Sequence, residues 1–182
     1  NYAELVEAQA DFIQTSEESL YNTYIKGTQP TKAILTTGIA YNYLMECLEN
    51  GAKSAYSLAF REASILKITQ YPLPKALIDQ MVADGAEEIL VMEEGQPVVE
   101  ELIRGMVPST VVVKGRLTGD LPRMGELTPD CVALALSPDN QIASSPKSVP
   151  EIVVGRPPAL GQGCGHRDMY AALNEVAAEH AG

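Results

Sequence analysis

The sequence predicts an α/β fold of three layers (α/β/α), in which helices cover both faces of a mostly parallel β-sheet. Two alternating sets of segments predict it. Short apolar runs, typical of buried strands, occupy residues 33–35, 64–68, 88–92 and 110–113. Segments with apolar residues at helical spacing lie between these runs, at 39–50, 75–83 and 98–106. Such an alternation with short links builds a doubly wound sheet, because βαβ crossovers are right-handed.

The residues before the sheet, 2–25, are expected to form one or two helices. Leu5, Val6, Phe12 and Ile13 recur at roughly helical spacing among acidic residues. The segment ends in the sequence GTQP, because glycine and proline interrupt regular structure.

The helices between the strands have recognisable boundaries. The turn at 36–38 separates the first strand from the first helix, and Gly51 follows that helix as a C-cap. Gly85 ends the second helix, and Pro97 precedes the third, where a first turn tolerates proline. Residues 52–63 fit neither a helical nor a strand pattern.

The regular alternation ends at Lys114. An irregular stretch with Gly and Pro leads to a short helix predicted over 128–136, and a last helix is predicted over 169–180. The polar residues 137–150 are rich in Pro and Ser, as linkers are. The predicted organisation is an N-terminal helical segment, an α/β domain, a linker and a C-terminal piece, at 1–32, 33–136, 137–160 and 161–182.

The composition argues against binding to nucleic acid or to an anionic membrane surface. The formal net charge is −11, with 24 acidic and 13 basic residues, whereas phosphate-rich partners select basic patches. We find no stretch of the ~18 apolar residues that a membrane helix needs. The 3 cysteines are scattered and form no C-x-x-C pair, which favours a reducing cytoplasm over a disulfide framework.

The loop at 161–167, GQGCGHR, is the main candidate for ligand binding. Its alternate glycines allow the backbone to approach a ligand, and the start of the following helix would offer free N–H groups to a phosphate. His166 and Arg167 would add donors. A flexible connector with a surface histidine explains the residues equally well. The G-x-G-x-x-G pattern of dinucleotide sites fails here because His166 occupies the last glycine position, and a zinc site is not expected.

Side chains at the predicted strand ends form a second set of candidates. Thr36 and Thr37 end one strand, and Glu93 and Glu94 end another, at the edge where open α/β sheets bind ligands. Paired carboxylates there could perform acid–base or metal chemistry. We favour the alternative that Glu94 stabilises the start of the helix after Pro97.

The charges that follow the fourth strand alternate in sign. They are Arg116, Asp120, Arg123 and Glu126. An interface or a substrate loop is one interpretation, but a solvated loop with weak ion pairs is the more common one.

Five motifs occur in order, namely TGIAYNY at 37–43, LKI and YPLP within 66–74, VMEEG at 91–95, LPRMGELTP at 121–129 and RPPALGQGCGHR at 156–167. Together they resemble the α subunit of indolepyruvate ferredoxin oxidoreductases. These are thiamine-diphosphate enzymes of the 2-oxoacid:ferredoxin oxidoreductase group. The resemblance covers about residues 15–173, nearly the whole chain.

The resemblance implies a domain of a larger cytoplasmic enzyme. Such an α subunit contains a pyrimidine-binding thiamine domain, a transketolase C-terminal-like domain, a diphosphate-binding thiamine domain and an iron–sulfur module. This chain resembles the second, and residues 161–182 the truncated start of the third. The parent enzyme would use thiamine diphosphate, Mg²⁺ and 4Fe–4S clusters to convert aryl pyruvates to aryl-acetyl-CoA, with a β subunit and ferredoxin as partners. The chain itself is expected to hold no cofactor and to be inactive.

The family's loop before the last helix usually reads Cys-Pro-Gly-Cys-Pro-His-Arg. Here Gly163, Cys164, His166 and Arg167 match it, whereas Gly161 replaces the first Cys and Gln162 and Gly165 replace the two Pro. The resemblance implies that these four residues border the diphosphate of the cofactor. It also places the glutamate that activates thiamine in the first domain, so that role is not assigned to Glu93 or Glu94.

Two other functions remain open. One is a stand-alone nucleotide- or CoA-binding module that uses the strand ends and the 161–167 loop. The other is an interaction domain, a homodimer included, that docks through the acidic N-terminal helical segment. We further expect residues 161–182 to be poorly ordered or docked in a non-native way, because most of their sheet is missing.

Overall fold

A computed structural model of the chain describes residues 2–50, 58–137 and 160–180. Most of the predicted linker, 138–159, and part of the ambiguous segment, 51–57, lie outside these residues. Contacts divide the chain into two units, Asn1–Ala143 and Ser144–Gly182, and each is described on its own.

The first unit contains a five-stranded sheet with the order β1-β3-β2-β4-β5. The strands are β1 (Thr23–Ile25), β2 (Lys32–Thr37), β3 (Ser64–Ile68), β4 (Glu88–Met92) and β5 (Val112–Lys114). Strands β2 to β5 are parallel, and β1 runs antiparallel to β3 at the edge. The register places Leu35 beside Leu66 on one side and Val91 on the other.

The helices occupy both faces of the sheet. Those of the first unit are α1 (Tyr2–Glu17), α2 (Ile39–Asn50), α3 (Leu58–Arg61), α4 (Lys75–Ala83), α5 (Val98–Arg104) and α6 (Pro129–Ala135). The second unit contains α7 (Gly165–His180). Local sequence explains their ends. Thr128, for example, caps α6 because its hydroxyl accepts a hydrogen bond from the Cys131 N–H at 3.3 Å, and Pro129 fits the first helical position.

Two hydrophobic cores form on opposite faces of the sheet. On one face Leu35 and Val91 pack with Ile78 of α4 and Ile103 of α5. On the other face, the strand side chains that point the opposite way pack with Leu44 of α2 and with α6. Burial on both faces explains why the strands are continuous apolar runs rather than alternating ones. The predicted three-layer α/β/α fold is confirmed.

The structure corrects part of the helical prediction for 2–25. Helix α1 ends at Glu17, and Thr23–Ile25 forms the edge strand β1. Three residues are too few to show an alternating pattern, and their strand conformation depends on pairing with β3. Smaller differences occur elsewhere. Strand β5 starts two residues later than predicted, and helix α5 ends at Arg104. Helix α7 begins at Gly165, inside the predicted loop.

Helix α7 has no buried residue within the described part of the second unit. Its apolar side chains are roughly half exposed, namely Met169, Tyr170, Leu173 and Val176. The helix forms, but it lacks the packed face that would normally stabilise it. No helix in the described part of the chain has the length and apolarity that crossing a membrane requires.

Candidate functional site

The carboxyl ends of β2, β3 and β4 lie at one edge of the sheet because these strands are parallel. The chain passes from β2 to β3 on one side and then returns across β2 to β4 on the other. Connections diverge at such a point and leave a crevice, where open α/β sheets usually bind ligands. This edge is therefore the candidate ligand-binding region of the sheet.

A cavity of about 420 Å³ opens at the ends of β2 and β3. Its lining residues are mainly polar: Thr37, Gly38, Asn42, Lys67, Ile68, Thr69 and Tyr71. Gly38 has a φ of 55°, a left-handed conformation that glycine adopts without strain, and it turns the chain from β2 directly into α2. The Lys67 ammonium lies 4.7 Å from the ring centroid of Tyr41, within cation–π range.

Tyr71 gives the cavity a protonated phenol at neutral pH. Burial raises the pKa of Tyr71, and the nearby Glu93 carboxylate raises it further, although a hydrogen bond with Thr37 acts in the opposite direction. Thr37 was predicted as a strand-end candidate, and it does line the cavity. Its neighbour Thr36 is fully buried instead, and its hydroxyl has no hydrogen-bond partner among the described residues.

Glu93 caps helix α5. Its side chain is buried, and its two carboxylate oxygens accept hydrogen bonds from the N–H groups of Val99 at 2.9 Å and Glu100 at 2.8 Å. Burial raises the pKa of Glu93 and outweighs these bonds, which lower it. Glu94 was predicted to stabilise this helix start, but the hydrogen bonds to it come from Glu93, one residue earlier.

Glu94 has a different partner. It is exposed, and its carboxylate accepts hydrogen bonds from the Leu127 N–H at 3.0 and 3.2 Å. This contact holds the segment before α6 against the exit of β4. Both carboxylates at this strand end are therefore bonded to the backbone of their own chain.

Arg116 is buried, with only 2% of its surface exposed. Its Nε donates to the Glu93 carbonyl at 3.0 Å and its Nη1 to the Pro122 carbonyl at 2.7 Å. The prediction of a solvated loop was wrong for this residue. A run of alternating charges does not reveal that one guanidinium turns inward to satisfy loop carbonyls.

Glu100 is a further charged residue in this region, and it is fully buried. One carboxylate oxygen pairs with Arg104 Nη2 at 2.8 Å, and the other accepts the Leu117 N–H at 3.0 Å. A Cβ at Gly115 would lie 2.5 Å from that second oxygen, so the close approach requires glycine. Sequence reasoning missed Glu100, because its helical position by itself predicts an ordinary surface acid.

Asn22 ties the segment before β1 to the loop after β3. It is buried, and its side chain bonds to the backbone of Ser16, Thr69 and Gln70. The Ser16 hydroxyl in turn donates to the carbonyls of Gln70 and Pro72. These contacts fix the loop that carries Tyr71 into the cavity.

The predicted cofactor-binding residues lie in the second unit. Gly163 has a φ of 76°, and the Arg167 N–H donates to the Cys164 carbonyl at 2.9 Å as α7 begins. Cys164 Sγ lies 3.5 Å from His166 Nδ1, and His166 and Arg167 are exposed. The loop thus presents donors and a helix start that suit a diphosphate. Within residues 2–50, 58–137 and 160–180, however, no three His, Cys, Asp or Glu side chains come close enough to hold the accompanying Mg²⁺.

The chain is similar to known proteins along nearly its whole length. It is 32% identical to the indolepyruvate oxidoreductase subunit IorA of Methanothermobacter marburgensis, over 97% of this chain and 28% of that subunit. It is 31% identical to IorA of Pyrococcus abyssi over 97% of this chain and 28% of that subunit, and 30% identical to IorA of Thermococcus kodakarensis over 91% and 27%.

The chain spans a little over a quarter of the length of these curated relatives. No protein-family model matches it, and no solved structure matches it significantly. The similarity agrees with the five motifs read from the sequence. The chain is therefore related to one segment of the IorA subunits of indolepyruvate oxidoreductases.

Proposed function

We propose that the chain is a support domain of an indolepyruvate oxidoreductase subunit and that it supplies no catalytic residue. The observation that carries this proposal is that charged side chains at the carboxyl edge of the sheet are hydrogen-bonded to the backbone of their own chain. Glu93 caps α5, Glu94 holds Leu127, and Arg116 binds loop carbonyls. Carboxylates in such contacts organise the fold and are poorly placed to exchange protons with a substrate.

The whole subunit, in this proposal, oxidises aryl pyruvates to aryl-acetyl-CoA and passes electrons to ferredoxin through iron–sulfur clusters, together with a β subunit. Thiamine diphosphate supplies the carbanion chemistry of the decarboxylation. The IorA names of the relatives support the oxidoreductase and its multi-subunit character. The transketolase C-terminal-like identity of this domain rests on the motif order alone.

The 161–167 loop would contribute to the cofactor site but would not complete it. Gly163, Cys164, His166 and Arg167 offer backbone and side-chain donors to a diphosphate, and the described residues offer no set of Mg²⁺ ligands. The cation and most of the cofactor contacts would therefore come from the flanking domains of the subunit.

Exposed apolar surface supports an interface role. Helix α1 contacts α4. About half or more of the surface of four of its apolar residues is nevertheless exposed, namely Leu5, Val6, Phe12 and Ile13. An adjoining groove of about 380 Å³ has an almost wholly apolar lining that includes Ile13, Leu73, Leu102 and Met106. Contiguous apolar surface of this kind usually marks a site of protein contact.

Calorimetric titration with thiamine diphosphate and Mg²⁺ tests the proposal. We expect no saturable heat from this chain, and clear binding by an intact IorA relative assembled with its partner subunit. Saturable binding by the chain alone that is lost when His166 and Arg167 are replaced by Ala would show that the 161–167 loop holds the diphosphate by itself and would contradict a support role. Saturable heat with CoA instead would favour the alternative of a stand-alone binding module.

A further inference from the structure

The cavity at the ends of β2 and β3 differs in charge from the rest of the molecule. The chain carries 24 acidic and 13 basic residues, yet no Asp or Glu lines this cavity and Lys67 is its one lysine. Among the described residues Lys67 forms no ion pair, and its ammonium faces the Tyr41 ring instead. A cation that is left without a counter-charge in an acidic protein favours an anion beside it.

The neutral groups around Lys67 are hydrogen-bond donors. Asn42 contributes an amide and Thr69 a hydroxyl. Thr37 and Tyr71 are hydrogen-bonded to each other, which leaves one O–H of the pair to donate, and the Tyr71 phenol stays protonated at neutral pH. Helix α2 begins directly behind Gly38, and the first N–H groups of a helix have no acceptor within it. The donors come from two strands, a helix and a loop that Asn22 fixes in place.

The carboxylate that acts on Tyr71 is hydrogen-bonded elsewhere. Glu93 influences Tyr71 electrostatically, but its carboxylate accepts two N–H groups at the start of α5. The apolar part of the accessible wall is the half-exposed Tyr71 ring, because Ile68 is buried in the core. A volume of about 420 Å³ exceeds the room that a lone phosphate or carboxylate needs and accommodates a small organic body.

We propose that this cavity binds a small organic oxyanion, a carboxylate or a phosphate ester, with its charged group between Lys67 and the first turn of α2. The apolar body of the ligand lies against the Tyr71 ring. No group in the cavity is placed to transform such a ligand, so the site is a binding site that goes beyond the proposed support role. The cavity would bind its ligand whether or not the chain belongs to an oxidoreductase.

Titration of the full chain, followed by ¹H–¹⁵N spectra, tests this site. The probes are phenyl phosphate, phenylacetate and inorganic phosphate. We expect saturable shifts of the Gly38, Ile39 and Thr69 amides with at least one organic probe. The probe that binds more tightly distinguishes a phosphate ester from a carboxylate. Saturation by inorganic phosphate alone, or no saturable shift with any probe at ~10 mM, would overturn the proposal.

Substitutions at Lys67 identify the cation responsible. Lys67→Met should weaken binding about tenfold or more, because it removes a charge-assisted hydrogen bond, and Lys67→Arg should retain most of the affinity. Lys75→Met is the matched control, because Lys75 is an exposed lysine on α4 outside this cavity. Asn42→Ala, at an exposed position of the same cavity, removes the amide donor and should also weaken binding. Equal affinity in Lys67→Met and the parent chain would show that the oxyanion binds elsewhere.

Discussion

The side chain of Asn22 forms two hydrogen bonds with the backbone of Gln70. Its Nδ2 donates to the Gln70 carbonyl at 2.9 Å, and its Oδ1 accepts from the Gln70 N–H at 2.9 Å. Oδ1 also accepts from the Thr69 N–H at 2.8 Å. One buried amide therefore joins the N-terminal segment to the loop that follows β3 and borders the Lys67 cavity.

Replacement of this amide should destabilise the fold. Asn22→Ala leaves several partly buried backbone groups without their protein partner, at a cost of about 1–3 kcal/mol in the free energy of unfolding. Urea unfolding measures the change. Gln80→Ala, at an exposed position on α4, is the control and should change stability by less than ~0.5 kcal/mol. Similar effects of both substitutions would mean that the Asn22 contacts do not hold the loop.

The buried carboxyl of Glu93 should make stability depend on pH. Burial raises the pKa of Glu93 above the ordinary value of 4.5, so the folded chain binds this proton more tightly than the unfolded chain. The contribution of Glu93 to stability is therefore greatest at low pH and falls as the pH rises from 4.5 through the raised pKa.

Glu93→Gln removes this titration and preserves the shape of the side chain. The unfolding free energy of the variant should improve relative to that of the parent chain as the pH rises through the same window. Urea unfolding at a series of pH values measures the difference. A difference that stays constant across the series would show that the pKa of Glu93 is not raised by folding.

Gly115 should be intolerant of any side chain. A Cβ there would lie 2.5 Å from the buried Glu100 carboxylate and 3.0 Å from the Val91 carbonyl, so Gly115→Ala should cost about 1–3 kcal/mol. Gly105→Ala is the matched control, because its Cβ would meet only the Leu102 carbonyl at 3.5 Å. Thermal unfolding of both variants tests the contrast. Equal melting temperatures would contradict the tight approach of Glu100 to the backbone.

Amide hydrogen exchange should be faster in α7 than in the sheet. Every described residue of α7 is exposed or only partly buried, so its amides should open locally and exchange much faster than those of β4. The measurement is amide exchange resolved along the chain. Protection in 169–180 equal to that of β4 would show that α7 is stabilised by packing.

The sequence predicted most of the α/β alternation because each signal was local. Strands β3 and β4 and helices α2 and α4 have the predicted bounds, 64–68, 88–92, 39–50 and 75–83. Apolar runs and Gly or Pro boundaries determine such elements. Strand β1 was missed because a three-residue edge strand acquires its conformation from pairing with β3.

The site was less predictable because its contacts are tertiary. The sequence placed Glu93 and Glu94 correctly at a strand end but could not show which one turns back to cap α5. Nothing local distinguishes the buried Arg116 from the other charges of its loop. Lys67 was missed as well, because its isolation depends on which acidic residues the fold keeps away from it.

The central claim, that this domain supports a catalytic subunit without supplying a catalytic residue, is tested most directly in a chimera. The chain replaces the matching segment of Methanothermobacter marburgensis IorA, and indolepyruvate oxidation is measured in the assembled enzyme, with and without Glu93→Gln and Glu94→Gln. We expect the chimera to be active and both variants to retain turnover within about threefold, because both carboxylates are hydrogen-bonded to the backbone of their own chain. A folded, cofactor-loaded chimera whose turnover falls ~100-fold or more with either substitution would show that the domain contributes a catalytic carboxylate and would contradict the account.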